Sequence, residues 1–285
     1  MNEEATMPEL HLDDRAHALE PAAMDALPEL VKFANTVADA ARRTSLRYFR
    51  TELELHIKED GSPVTVADRE TEQVIRDLLA RSYPQHGVFG EEHGWTPTDR
   101  PYTWIVDPID GTKSYLAGAP TYGMLLALLY DGKPVLGIVD IPALDERWCG
   151  VVGQATIMNG RPVKTRDCRA VEQAVLTVIS PDRIESGDRP AVDELSRMAR
   201  VRRYSSDGYA HPLLASGYVD MVVTGGQEPF DYLAVVPVVE GAGGCITDWG
   251  GEPLRLDSDG RVLVTATPEL HREALNVLQE TKRLT

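Results

Sequence analysis

The sequence predicts an α/β protein of the α+β type, in which an antiparallel-sheet subdomain is followed by a mixed-sheet subdomain. Three observations carry this expectation. Thr121 to Tyr130 and Pro134 to Ile141 are apolar runs joined by Asp131-Gly132, a dipeptide that accepts the positive φ angles of a two-residue hairpin. Arg147 to Val152 and Ala155 to Met158 follow directly, with Asn159-Gly160 as a second tight turn, so this sheet is antiparallel. From Val175 the rhythm changes to strands alternating with helices, which places a junction near residues 170 to 180. The expected division is an arm over residues 1–27, a first subdomain over 28–175 and a second over 176–285.

Residues 1–27 mix acids, Pro8 and Pro21 with scattered apolar residues and no long period, the pattern of a flexible arm. Pro28 then opens a helix whose apolar positions Leu30, Phe33, Val37, Ala41 and Leu46 keep close to helical spacing. Glu52 to Lys58 reads as a strand, Asp60-Gly61-Ser62-Pro63 as a turn, and Val64 to Val66 as a short strand leading to Asp68. A helix with Val74, Ile75, Leu78 and Leu79 on one side follows, ending at Pro84. Trp104 to Val106 is a buried strand that Pro108, lacking a backbone donor, brings to a close. Beyond the junction come strands at Val175 to Ile179 and Val201 to Tyr204, with a helix near Ala191 to Ala199 between them. A helix from Gly208 to Ser216, a strand at Tyr218 to Val223 and a helix from Phe230 interrupted by Pro237 follow. Ile246-Thr247, Val262 to Thr265 and a final helix from Pro268 complete the chain.

Chemistry concentrates where the central strand stops, at Asp107-Pro108-Ile109-Asp110-Gly111-Thr112. Asp107 and Asp110 point into one small space, and two like charges there repel unless a cation lies between them. Carboxylate oxygens, water and a backbone carbonyl, for which Ile109 is placed, are the ligands of Mg²⁺. Gly111 and Thr112 then offer backbone N–H groups at the start of a turn or helix, where phosphate oxygens bind.

The chain has 285 residues and a formal net charge of −16, which argues against a nucleic-acid backbone or an anionic membrane as partner. Three cysteines, Cys149, Cys168 and Cys245, show no Cys-x-x-Cys spacing, so neither a disulfide framework nor a zinc site is expected. No apolar run approaches the ~18 residues that span a bilayer, and the first residues are acidic where a signal peptide is basic. A cytoplasmic enzyme is the expectation. The seven histidines have no His-Glu-x-x-His spacing, and no serine stands in a Gly-x-Ser-x-Gly context. Gly241-Ala242-Gly243-Gly244 closes a helix and opens a strand, the wrong order for a nucleotide loop.

Asp-Pro-Ile-Asp-Gly-Thr resembles the signature of the inositol monophosphatase family of Mg²⁺-dependent, lithium-sensitive phosphatases. Three more pieces stand in the family's order: Val64-Thr65-Val66-Ala67-Asp68, Gly90-Glu91-Glu92, and Phe230-Asp231-Tyr232-Leu233-Ala234 running into Glu240-Gly241-Ala242-Gly243-Gly244. The resemblance covers roughly residue 28 onward and implies alternating α-β-α-β-α layers with the site between two halves. It implies that Asp68 and Thr112 orient and deprotonate the attacking water, and that Glu91, Asp107, Ile109, Asp110 and Asp231 hold two Mg²⁺ ions, a third binding more weakly. Glu91 belongs to both the ligand set and the catalytic set, and Glu92 to neither. Gly111 and Thr112 steady the phosphoryl group. The resemblance further implies a homodimer. Asp68 and Asp231 each also have a bland reading as helix-start residues.

Lys113-Ser114-Tyr115, Asp207-x-Tyr209 and Leu213 to Asp220 look most like the histidinol-phosphate phosphatase branch, which serves histidine biosynthesis. Inositol-specific members carry a Glu seven positions before the second-half Asp, where this chain has Thr224. Asp207, Lys113 and Glu228 are the candidate substrate residues, although Glu228 is unusual for the histidinol branch. Histidinol phosphate carries an amine and an imidazole, for which Asp207 is the matching acid; capping of a helix starting at Gly208 is its alternative role. Inositol phosphate, 3′-phosphoadenosine phosphate and fructose bisphosphate are the alternative substrates, and a non-catalytic metal- or phosphate-binding relative is the alternative class.

Overall fold

The computed structural model describes residues 20–58, 61–205 and 207–284. Its first half runs through α1 (Pro21–Tyr48), the hairpin of β1 (His56–Ile57) and β2 (Pro63–Val64), α2 (Val66–Ser82), β3 (Gly87–Gly90), β4 (Gly94–Thr96) and β5 (Tyr102–Asp110). After α3 (Thr112–Leu116) come β6 (Gly123–Tyr130), β7 (Lys133–Ile141), β8 (Glu146–Val151), β9 (Ile157–Met158) and β10 (Arg161–Pro162). The second half has β11 (Val175–Ile179), α4 (Arg189–Met198), β12 (Val201–Ser205), α5 (Ala210–Ala215), β13 (Met221–Thr224), α6 (Pro229–Tyr232) and α7 (Val235–Gly241). It ends with β14 (Cys245–Asp248), β15 (Val262–Thr265) and α8 (Pro268–Leu284).

Strands β3 to β10 form one sheet in the order β10-β9-β8-β7-β6-β5-β3-β4, antiparallel except where β3 runs parallel to β5. The second sheet, β12-β11-β13-β15-β14, is parallel across β12, β11 and β13 and antiparallel beyond. Both expected sheets are therefore present, one antiparallel in all but a single pair and one mixed. The Asp131-Gly132 turn has φ of 47° and 76°, as a two-residue hairpin requires.

Five layers result, in the expected α-β-α-β-α order. Helices α1 and α2 cover one face of the first sheet, burying Leu27, Val37, Ala41 and Ile75 against Trp104, Val106 and Leu126. Between the sheets lie α5, α6 and α7, where Leu214, Tyr232 and Val235 pack with Ile105 and Leu125 on one side and Val222 and Val264 on the other. Helices α4 and α8 cover the outer face of the second sheet through Leu195 and Leu270. The period of two in a strand explains the division: Val222 faces the middle layer, while Met221 and Val223 face α4 and α8.

Four expectations need correction. The first helix opens at Pro21, not Pro28, so residues 21–27 belong to it and not to an arm; residues 1–19 lie outside the described residues. Pro21 occupies the helix start, where its missing N–H costs nothing, and Ala23 and Leu27 are buried beside Leu30. Of the span Glu52 to Lys58, only His56–Ile57 is strand. The central strand does not end at Pro108 but runs on to Asp110 through a bulge. Pro237 interrupts nothing: it stands in the first turn of α7, where an N–H has no helical partner, and the break between α6 and α7 falls at Leu233-Ala234.

The middle layer meets the first sheet backbone to backbone. A Cβ at Gly137 of β7 would overlap the carbonyl of Ala234, and one at Gly150 of β8 would overlap the carbonyl of Pro237. The two glycines thus let α7 lie close enough for α6, which precedes it, to reach β5 and β6 of the first sheet. Gly150→Ala is expected to destabilise the protein by about 1–3 kcal/mol, since the obstructing atoms are backbone and cannot swing aside. The shift of the denaturant midpoint at constant slope measures it, and an unchanged midpoint contradicts the close approach.

Candidate active site

In a regular strand, residues three apart point to opposite faces, so Asp107 and Asp110 would be separated. The β5–β6 register pairs Asp107 with Leu125 and Asp110 with Gly123, so three steps on β5 oppose two on β6. The extra residue, at Pro108-Ile109, rotates Asp110 back to the side of Asp107, and Pro108 is tolerated because a bulge leaves a donor unneeded. Oxygens of Asp107, Asp110 and Asp231 lie within 4.8 Å of one another. Each carboxylate is aimed by one backbone amide. Ile109 N–H donates to Asp107 Oδ1 (3.0 Å), Gly208 N–H to Asp110 Oδ2 (2.5 Å), and Glu228 N–H to Asp231 Oδ2 (2.9 Å).

Asp231 and Asp68 occupy the same local device. Asp231 is the third residue of α6 in a capping box with Glu228, and Asp68 is the third residue of α2 in a capping box with Thr65. Asp68 is therefore not the N-cap itself. Its Oδ2 accepts from Thr65 N–H (2.8 Å) and Thr65 O–H (2.6 Å), which leaves Oδ1 to accept from Thr112 O–H at 3.2 Å. The Thr112 hydroxyl also lies 3.3 Å from the Ile109 carbonyl oxygen. Gly111, with φ of 80°, precedes α3, whose first bond runs from Tyr115 N–H to Gly111 O, so the amides of Gly111 and Thr112 lie ahead of the helical ladder.

Glu91 follows β3, with its N–H donating to Val106 O at 3.1 Å, and its carboxyl stands beside that of Asp107, each influencing the charge of the other. Lys58 reaches over from the β1–β2 hairpin, its Nζ 2.9 Å from Glu91 and 2.7 Å from Glu92. Burial pushes Asp107 and Asp110 well above the usual carboxylate range, and neighbouring acids add to the effect: Glu91 and Asp110 on Asp107, Asp207 and Asp231 on Asp110. Burial likewise raises Asp231 to about 7 against the pull of Arg183, and Glu92 to about 7 against Lys58. Asp68 and Glu91 are raised by the same cause.

Glu91, Asp107, Asp110, Thr112 and Asp231 line a cavity of about 440 Å³ together with Asp207, Glu228, Lys113, Arg183, Gln227 and Phe230, while Asp68, Glu92 and Lys58 stand behind it. Asp207 does not cap α5, whose N-cap position is Tyr209. It sits at φ of 68°, accepts from Thr121 O–H at 3.0 Å, and packs so closely on Gly111 that a Cβ there would overlap its carboxyl. Glu228 caps α6, and Lys113 pairs with Asp182 at 2.9 Å across the cavity mouth. Thr224 is fully buried and does not line the cavity. Arg183, 3.6 Å from Asp231 Oδ2, and Lys58 escape a reading of the sequence, because no local pattern marks a lone cation that acts across the fold. The buried histidines are packing residues. His86 Nδ1 accepts from Trp104 Nε1–H, and His271 lies between Thr247 and Thr265.

The donor set fits hard divalent cations. Six carboxylates line the cavity against Lys113 and Arg183, and once all six are ionised the excess is four negative charges, which two such cations would neutralise. Oxygen donors alone converge, with no cysteine or histidine among the lining residues.

Residues 26–283 match the family model described as the inositol monophosphatase family. The chain is 40% identical to the bifunctional phosphatase IMPL2, chloroplastic, of Arabidopsis thaliana, over 88% of this chain and 76% of that protein. It is 36% identical to the histidinol-phosphatase of Chlorobaculum parvum, over 90% of this chain and 98% of the relative. A solved inositol monophosphatase from Zymomonas mobilis superposes with a TM-score of 0.82 at 38% identity, covering 89% of this chain and 99% of that one.

The raised carboxyls set a pH dependence whose sign is fixed. Below its folded pKa of about 7, Asp231 holds a proton that the unfolded chain, at 3.8, has already lost, so the cation-free fold loses stability as pH rises through that window. A divalent cation binds the ionised form and restores it. The gain in melting temperature on adding Mg²⁺ is therefore expected to be small near about pH 5 and complete by about pH 8. His86, His211 and His271, each lowered to about 4 by burial, act equally with and without the ion and cancel in the difference. A gain independent of pH overturns the assignment of these carboxyls to a cation site.

Proposed function

The chain belongs to the inositol monophosphatase family and is a phosphoric monoester hydrolase, and we propose that it is a Mg²⁺-dependent phosphatase acting on L-histidinol phosphate. Names alone do not choose the substrate, since relatives called histidinol-phosphatase and inositol monophosphatase are similar to the chain to nearly the same degree. The observation that carries the choice is the wall beside the phosphate loop. Asp207 lines it, whereas Thr224, standing where an inositol-specific Glu is expected, is buried away from the cavity. A substrate with an amine and an imidazole fits an acidic wall.

Asp107, Asp110, Asp231, Glu91 and the Ile109 carbonyl would hold the Mg²⁺ ions. When bound, these ions supply charge neutralisation at the phosphoryl group and a lowered pKa for the attacking water. Thr112 Oγ1 donates to Asp68 Oδ1 and keeps its lone pairs for a proton of that water, so deprotonation runs from water to Thr112 Oγ1 as the threonine proton passes to Asp68. Burial, which raises Asp68, makes it a stronger base for this step. Gly111 and Thr112 N–H groups steady the phosphoryl oxygens as the water oxygen bonds phosphorus and the ester P–O bond breaks. Histidinol leaves with the ester oxygen, which is protonated from solvent water, and the proton taken by Asp68 returns to solvent. We place the enzyme in the cytoplasm, whose reducing conditions agree with its three free thiols, and as a homodimer, as the family resemblance implies.

Phosphate release from a panel of histidinol phosphate, inositol-1-phosphate, 3′-phosphoadenosine 5′-phosphate and fructose-1,6-bisphosphate tests the reading. Histidinol phosphate should lead, and EDTA should abolish turnover. Preference for inositol phosphate sinks the substrate assignment, and full activity in EDTA sinks the metal dependence.

Asp207→Asn separates charge from structure. Asn tolerates the left-handed φ of 68° and still accepts from Thr121, so the loop is preserved while the charge is lost. Loss of a charge-assisted hydrogen bond costs about 1.5–3 kcal/mol, or roughly 10- to 150-fold in kcat/KM for histidinol phosphate, with an aryl phosphate unaffected. Equal activity of mutant and wild type on both substrates shows that Asp207 does not contact the substrate.

A further inference from the structure

Glu72 is a carboxylate with no exposure at all, placed on α2 behind the site and outside the cavity lining. A lone buried carboxylate is costly, and a fold that needed only filling here would do as well with an apolar residue. Its partners explain it. Oε2 accepts from Glu92 N–H (2.7 Å), and Oε1 from His93 N–H (3.1 Å) and from Arg76 Nε–H (2.6 Å). Arg76 in turn donates to the Gly94 carbonyl and to Thr96 Oγ1 (3.0 Å). The pair therefore grips the β3–β4 turn by consecutive backbone groups immediately after Glu91. On the other side, Glu91 N–H is held by Val106 O, the residue before Asp107. Gly90 has no Cβ because one would fall on the Glu72 carboxyl.

We propose that Glu72 is a positioning residue for the metal site, fixing the backbone of Glu91 so that its carboxylate meets Asp107. The inference rests on the reading of Glu91 as a metal ligand. Glu72 touches neither substrate nor metal. A glutamine at this position can accept from one of the two amides, but its own NH₂ confronts the other donors, so the turn must shift and Glu91 with it.

The test is calorimetric titration of the substrate-free protein with Mg²⁺, beside the Mg²⁺ concentration for half-maximal phosphatase activity. Glu72→Gln is expected to weaken Mg²⁺ binding by about 10- to 100-fold, as loss of a partner behind a ligand does, with the substrate KM at saturating Mg²⁺ unchanged. Gly90→Ala, which crowds the Glu72 carboxyl from the opposite side without altering it, should move Mg²⁺ affinity in the same direction. A merely structural role would lower the melting temperature and leave Mg²⁺ affinity untouched in the folded fraction. Wild-type Mg²⁺ affinity in either folded variant overturns the proposal, as does failure of both to fold, which makes Glu72 a folding residue. Glu91→Gln separates the two levels: if it leaves Mg²⁺ affinity unchanged, the ligand reading of Glu91 fails, whereas a loss there with none in Glu72→Gln rejects the positioning role alone.

Discussion

Repulsion among Asp107, Asp110 and Asp231 is the constraint around which both halves are arranged. Three carboxylates with oxygens within 4.8 Å cannot all be ionised in a buried site unless cations lie among them. Bringing the third one in requires α6 to stand against β5 and β6 of the first sheet. That position follows from α7, which lies against Gly137 and Gly150 with no side chain between the backbones. Middle-layer packing around Tyr232 and Val235, against Ile105 and Leu125, supplies the apolar burial that opposes the repulsion. The site is thus held together by hydrophobic contacts and is strained by its own charges, a balance that a divalent cation tips.

Two of the acids proposed for the site are third residues of capping boxes, and the coincidence has a physical use. In such a box the acid's side chain turns back to the N-cap amide, which fixes its rotamer through a bond inside one helical turn. Asp68 and Asp231 are in this way aimed by local sequence, without relying on distant partners. The helix start adds positive potential, which favours the ionised acid and offsets part of the burial that raises both groups. Hence the helix-start role of Asp68 and Asp231 is compatible with the functional role proposed for them.

Legibility in the sequence followed distance along the chain. Asp107, Asp110, Gly111 and Thr112 are contiguous, and an apolar run stopping on acids and glycine exposes them. Asp68, Glu91 and Asp231 lie far apart, and only four motifs in family order joined them; each taken singly reads as a helix start or a solvated turn. Lys58, Arg183, Glu72 and Arg76 were invisible, because each matters through a contact spanning tens of residues or through a fold not encoded in any short pattern. The reading of Pro108 as a strand stop failed for a related reason. Proline removes one donor, and whether the strand ends or bulges depends on the neighbour: β6 resumes pairing at Gly123, where the missing side chain leaves room near Ile141. Pro237 repeats the lesson in a helix, harmless in a first turn and disruptive in a later one.

Substrate wall and metal site are not independent parts. Gly208 N–H is bonded to Asp110, while Asp207, one residue earlier, lies on Gly111 of the phosphate loop and is held by Thr121. Asp207, in the left-handed region at φ of 68°, lines the cavity, and the amide that follows it donates to Asp110. Its negative charge is also the largest neighbouring influence that raises Asp110. If, as proposed, a cationic substrate group pairs with Asp207, it would relieve this influence and favour ionised Asp110, hence tighter cation binding. By reciprocity, cation binding strengthens the hold of Asp207 on a cationic substrate. On the proposed reading, the acid facing the substrate is in this way coupled to the acids of the cation site, through one peptide unit.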